Sequence, residues 1–155
     1  MGKAKAHRKN GGQTMNFLSR LSLAFSAGAL GGLVNGLAVW LFGAVGFTAA
    51  LGVNIAPQLT KAFLYPRIVW GGIWGVVLLF PLIRSSHVLR GLVLSILPTL
   101  VTLLIIFPSK GKGMLGVELG TLTPLFSLIF NAIWGIVVGG WYTVTSGRLR
   151  HRREV

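Results

Sequence analysis

The sequence contains no cysteine. Disulfides, thiolate metal sites and thiol redox chemistry are excluded, and with them any oxidoreductase that works through a membrane-embedded Cys-x-x-Cys. Acids are almost as scarce, with two in 155 residues, Glu118 and Glu154. Intramembrane carboxylates serve proton relays in pumps and transporters. No apolar stretch holds one here, which weighs against proton-driven exporters. The three histidines, His7, His87 and His151, flank apolar stretches and have no acidic neighbours at metal-ligand spacing. No Gly-x-Ser-x-Gly elbow occurs, and SKGKG (109–113) lacks the residue order of a phosphate-binding loop. No catalytic, cofactor-binding or metal-binding residue is assigned, and the expectation is a protein without cofactor or enzymatic activity.

Charged residues make up 11% of the chain, against roughly 25% in a soluble domain. Hydrophobic residues make up 53%, gathered into four runs: Leu21–Val53, Phe63–Ile83, Leu92–Phe107 and Leu119–Val144. Each reaches or approaches the ~17–25 residues that cross a hydrocarbon core. The expected fold is an all-α membrane protein, a four transmembrane helix bundle. Its spans lie at approximately 21–44, 63–83, 91–108 and 119–145, between a basic tail (1–20) and a second basic tail (146–155). The first run is too long for one span, since roughly 33 helical residues would reach about 50 Å. It is expected to end near Ala44–Gly46. FTAALGVNIAPQLTK (47–61) is then left at the outer interface as a short helix, a re-entrant turn or a loop, broken at Asn54 and Pro57. Pro66 suits an early helical position, and Pro98 should kink the third span. The short loop RSSHVLR (84–90) makes spans two and three antiparallel neighbours.

The net charge of +13 comes from 15 basic residues against two acids. Lys3, Lys5, Arg8, Lys9 and Arg20 lie in the first tail, Arg84 and Arg90 in the second loop, and Arg148, Arg150, Arg152 and Arg153 in the last tail. Cytoplasmic flanks carry the excess of Lys and Arg, so both termini are expected inside, in a multi-pass protein of the plasma (inner) membrane. Lys61, Arg67, Lys110 and Lys112 fall outside. So strong a bias argues against a dual-topology homodimer. The basic segment followed by a long apolar run does not read as a cleaved signal. No basic folded face or base-stacking module is visible, so nucleic acid is not an expected partner. The expected partners are the bilayer and anionic lipid headgroups at both tails.

SAGALGGLVNGLAVW (26–40) holds four glycines and an asparagine. Helices in lipid associate through close backbone approach, and small residues permit it. Ala24, Gly28, Gly32 and Gly36 line one face of span one. Gly71 and Gly75 do the same in span two, and Gly135 and Gly139 in span four. These faces serve packing within the chain or a homo- or hetero-oligomer. A carboxamide in hydrocarbon needs a hydrogen bond. Asn35 and Asn131 lie about 12 and 15 Å from the outer end of their spans. Spans one and four are therefore expected to be adjacent, with the two amides meeting directly or through water. Arg67 and Glu118 stand near the outer interface as a possible pair or as two separate charges. Trp40, Trp70, Trp141 and Tyr142 suit interfacial anchoring, while Trp74 and Trp134 lie deeper, as packing partners for glycine faces. IWGVV (73–77) and IWGIV (133–137) echo each other on two spans of the same direction, which fits a repeat of two hairpins or a shared packing need.

The stretches GALGGLVNGLAVWLFG, LYPRIVWGGIWG and TPLFSLIFNAIWG resemble a family of small polytopic bacterial membrane proteins of unknown function, over most of residues 22–140. That resemblance implies no activity. Two functions stay in view. One is a non-enzymatic accessory or assembly subunit acting through its glycine faces. The other is a small channel or transporter for an anion or neutral solute, using Arg67, Asn35 and Asn131.

Overall fold

Three side-chain caps decide where the helices begin. In the computed structural model, which describes residues 16–80 and 86–151, the Asn16 side chain accepts the Ser19 N–H (3.1 Å) and Thr60 accepts that of Phe63 (3.2 Å). Ser86 does the same for Leu89 at a longer 3.4 Å. Such caps satisfy amides that a helix start leaves without a partner. Four helices that are long and apolar enough to cross a membrane follow: Phe17–Ala44, Lys61–Leu79, His87–Ser109 and Thr123–Thr145. All regular structure among the described residues is helical. Residues 1–15, 81–85 and 152–155 lie outside them, and with them most of the basic residues behind the expected orientation.

The span bounds differ from the hydropathy reading where caps and turns intervene. Residues 17–20, read as tail, belong to the first helix because Asn16 caps it. Lys61 starts the second, so Pro66 stands more than one turn inside it. The second closes in a 3-10 turn, Val76–Leu79, before the extended Phe80; a residue preceding proline is biased to that conformation. The fourth helix starts at Thr123 rather than 119. Ahead of it, Met114–Leu119 forms a 3-10 segment in which Leu115 and Gly116 take left-handed φ of 59° and 75°. A right-handed helix cannot run through two such residues.

The first helix does stop at Ala44, and Gly46 (φ 74°) turns the chain. The segment after it contains a single helical turn, Phe47–Ala50, and then an irregular stretch. This stretch folds on itself and on the other loop. The Thr48 hydroxyl donates to the Ile55 carbonyl (2.8 Å), and the Asn54 N–H donates to the Leu119 carbonyl (2.6 Å). Thr48 and Val53 are fully buried beneath it. The molecule thus has a loop end, built from residues 45–60 and 110–122, and a terminal end where the first helix begins and the fourth finishes.

Around the bundle the order of the spans is two, one, four, three. Spans one and two pack through glycines: a Cβ on Gly71 would fall 2.8 Å from the Gly32 Cα, and one on Gly75 would fall 2.7 Å from the Gly28 Cα. Spans three and four use Gly91, Gly135 and Gly139; a Cβ on Gly135 would lie 2.7 Å from the Gly91 carbonyl carbon. Between the two pairs, Trp134 of span four lies against Gly31 of span one and donates its indole N–H to the Gly28 carbonyl (3.1 Å). The fourth possible interface stays open. Among the described residues, spans two and three come together chiefly at the terminal end, where Leu78 and Leu94 join Ala27, Trp134 and Val138 in one buried cluster. The two spans therefore meet at their ends and pack far less along their length.

The third span is the irregular one. It consists of His87–Leu94, Ile96–Val101, a π-helical stretch Thr102–Ile106 and a final turn Phe107–Ser109. Pro98 has no N–H to offer the Leu94 carbonyl and crowds it. The hydroxyls of Ser95 and Thr99 bond back to the carbonyls of Leu92 (2.7 Å) and Ser95 (2.8 Å), a habit that bends helices.

Candidate functional site

Where spans two and three part, a cavity of about 930 Å³ opens toward the loop end. Spans one and four form its back wall with Asn35, Ser127 and Asn131, and its inner end with Trp134; span two contributes Arg67, Trp70 and Trp74. Span three contributes Pro98, Val101, Thr102 and Ile106, so its bend and π stretch form part of the wall. π-bulges occur often at functional sites because they displace a turn of helix from its regular course. Lys110, Lys112 and Asn54 stand at the mouth. Below the cavity, the Ala27–Leu78–Leu94–Trp134–Val138 cluster seals the terminal end.

Arg67 is held by its own helix. One guanidinium N–H donates to the Phe63 carbonyl (3.0 Å), and the guanidinium carbon lies 3.8 Å from the centroid of the Phe63 ring. That stacking is a cation–π contact. Glycine on the facing helix makes the room: a Cβ on Gly36 would fall 3.1 Å from the Arg67 Cδ. A guanidinium carries five N–H donors. A single hydrogen bond of this group is formed among the described residues, and the group borders the cavity.

Arg67 and Glu118 are not brought together. Glu118 is exposed in the 3-10 segment before the fourth helix and is not part of the cavity wall. The fourth helix starts at Thr123 and has no acid in its first turn. The two asparagines are on facing spans, as the depth argument requires, but their amides do not bond to each other. Asn35 donates to the Phe130 backbone carbonyl (2.8 Å), one residue before Asn131. The Asn131 side chain borders the cavity. The packing residues Ala24, Gly28, Gly32, Gly36, Gly71, Gly75, Gly135 and Gly139 are all buried among this chain's own helices.

Reading the sequence alone missed Lys110, Lys112, Trp70, Trp74 and Thr102 as wall residues. One signal pointed there. Of the four basic residues that the orientation bias leaves unexplained, Arg67, Lys110 and Lys112 converge on one cavity. No carboxylate faces them from the wall among the described residues. Nor do three residues from His, Cys, Asp and Glu gather anywhere among the described residues. The site can therefore attract negative charge and donate hydrogen bonds from Arg67, Asn131 and Thr102.

No protein-family model matches the chain, no curated protein is similar to it, and no solved structure matches it. The four helices define it as a multi-pass membrane protein by length and composition.

Proposed function

We propose that this protein is a non-enzymatic carrier for an anionic solute, multi-pass in the plasma (inner) membrane with both termini cytoplasmic. The observation that supports this reading most is a cavity bordered by three cations and by no carboxylate among the described residues. With the basic tails inside, the cavity faces away from the cytoplasm. Its mouth then collects the basic residues that topology alone would place elsewhere. Clefts lined by one sign of charge concentrate counter-ions of the other. The apolar cluster beneath the cavity blocks an open pore, so passage would require the terminal end to open in turn. The seam between spans two and three has the fewest contacts to break in such a step. The accessory reading relied on the glycine faces, and these are occupied by the chain's own helices. It would need another surface.

The test is transport by the purified full chain in liposomes, read as transient currents on a solid-supported membrane across phosphate, sulfate and carboxylate compounds. Saturable currents with one of these classes, lost in Arg67→Gln, are the expected result. If no anion produces a current or raises the thermal midpoint of the protein in detergent, the carrier reading fails.

A further inference from the structure

The carrier reading leaves the kind of anion open, and the walls of the cavity narrow it. The cavity is divided by chemistry along its depth. Arg67, Lys110 and Lys112 stand toward the loop end, whereas Trp74, Trp134, Pro98 and Val101 line the part nearer the apolar cluster. Its volume of about 930 Å³ is near the top of the ~300–1,000 Å³ range of organic-ligand pockets. An inorganic anion would leave most of that space, and all of the apolar part, unused.

Two residues of the cavity wall keep large exposed surfaces. Trp70 of span two and Ile106 of span three both border it, yet they are 58% and 38% exposed. They stand on the two spans that pack far less along their length than at their ends. Their free surfaces lie at the depth of the apolar spans, where the surroundings are hydrocarbon. A gap of this kind, with a cationic upper end and an apolar lower end, fits one chemical shape: an oxyanion carried on an acyl chain.

We propose that the substrate is an anionic amphiphile of the outer leaflet, a lipid-borne phosphate or carboxylate that slides in between spans two and three. Its headgroup sits at Arg67 with Lys110 and Lys112, and its chain lies along Trp74, Pro98 and Val101. Guanidinium and ammonium groups bind such oxyanions through charge-assisted hydrogen bonds. The proposal rests on the carrier reading for the sign of the substrate and adds its apolar part and its route.

The test uses the full chain in phosphatidylcholine vesicles with trace nitroxide-labelled phosphatidic acid or nitroxide-labelled phosphatidylcholine. The readout is the motionally immobilised fraction of the label. We expect phosphatidic acid to be immobilised in excess over phosphatidylcholine, roughly tenfold less in Arg67→Gln and two- to fivefold less in Lys110→Gln/Lys112→Gln. The lysine variant changes only exposed loop residues, so it remains informative if Arg67→Gln fails to fold. A second arm places cysteines at Trp70→Cys and Ile106→Cys, in a chain that has none of its own, and bridges them with a bifunctional methanethiosulfonate. Bridging should abolish the excess for label added afterwards. Equal immobilisation of the two lipids overturns the proposal, as does an excess unaffected by either variant or by the bridge. Displacement of the labelled phosphatidic acid by millimolar inorganic phosphate would show a soluble-anion site. That result overturns the amphiphile while leaving the carrier reading in place; absence of binding by lipid and phosphate alike removes both.

Discussion

The two hairpins begin with the same device and end differently. In the first, glycines at four-residue spacing, from Gly28 through Gly32 to Gly36, hold span one against span two. In the second, Gly91 meets Gly135 and Gly139 near the terminal end. Span three has no other glycine before residue 111. Above Gly91 it has Ser95, Pro98 and a π turn instead. The first hairpin is therefore held by glycine contacts over several turns, against backbone at Gly28 and Gly32 and against side chains at Gly36, while the second is a clasp whose third span turns irregular above it. The cavity lies against that irregular part. Helix pairs in lipid have little hydrophobic drive to close, so a gap persists wherever small residues stop and a proline begins.

The largest expected effects test whether both glycine contacts are needed. A valine at Gly71 would drive its Cβ to 2.7 Å from the Gly28 carbonyl oxygen, and one at Gly135 to 2.7 Å from the Gly91 carbonyl carbon. Neither neighbour is a side chain that can turn away. Overpacking against backbone is expected to cost about 3 kcal/mol in each case, read as a loss of folded protein during detergent-to-SDS titration. Tolerance of Gly135→Val beside intolerance of Gly71→Val would mean that the second hairpin is held by something other than its clasp.

The two tryptophans of the repeated IWG segments sharpen the comparison on a smaller scale. Trp134 is buried and donates to the Gly28 carbonyl, so Trp134→Phe should cost about 1–2 kcal/mol from a lost buried hydrogen bond and a poorly filled site. Trp74 borders the cavity, half-buried and without a hydrogen bond among the described residues. Trp74→Phe should stay below about 1 kcal/mol and should alter solute affinity instead. Equal thermal shifts would remove the distinction between a tryptophan that joins the hairpins and one that lines the site.

Much of this arrangement was legible in the residues. Hydropathy marks the four spans, and the four-residue spacing of Gly28, Gly32 and Gly36 marks a helix-packing face. The polar depth of Asn35 and Asn131 brings spans one and four together, as observed. The open seam was not legible, because a short loop fixes only where two spans begin to diverge. The start of span four was misplaced because Val117 and Leu119 are apolar, while the turn is set by left-handed backbone at Leu115 and Gly116. The role of Lys110 and Lys112 was hidden for a different reason. Residues far apart in the chain are gathered by helix ends, and no local pattern announces that.

The smallest effects separate the two asparagines, which the sequence presents as equals. Asn35→Ala removes the donor to the Phe130 carbonyl. That carbonyl keeps its helical N–H partner, so the loss is that of one hydrogen bond between helices. Such bonds in membrane proteins average about 0.6 kcal/mol and reach about 1.7. A fall of about 1 kcal/mol in unfolding free energy is expected, with solute binding retained. Asn131→Ala removes a carboxamide that borders the cavity and makes no hydrogen bond among the described residues. Its stability should stay within about 0.5 kcal/mol of the parent chain, while the affinity for the anion falls. The crossed design gives each residue a readout the other should leave alone. If Asn131→Ala destabilises the protein as much as Asn35→Ala and leaves binding unchanged, both amides are clamps. The Asn131 carboxamide would then have no part in recognition, and Arg67 and the two lysines would carry it without that amide.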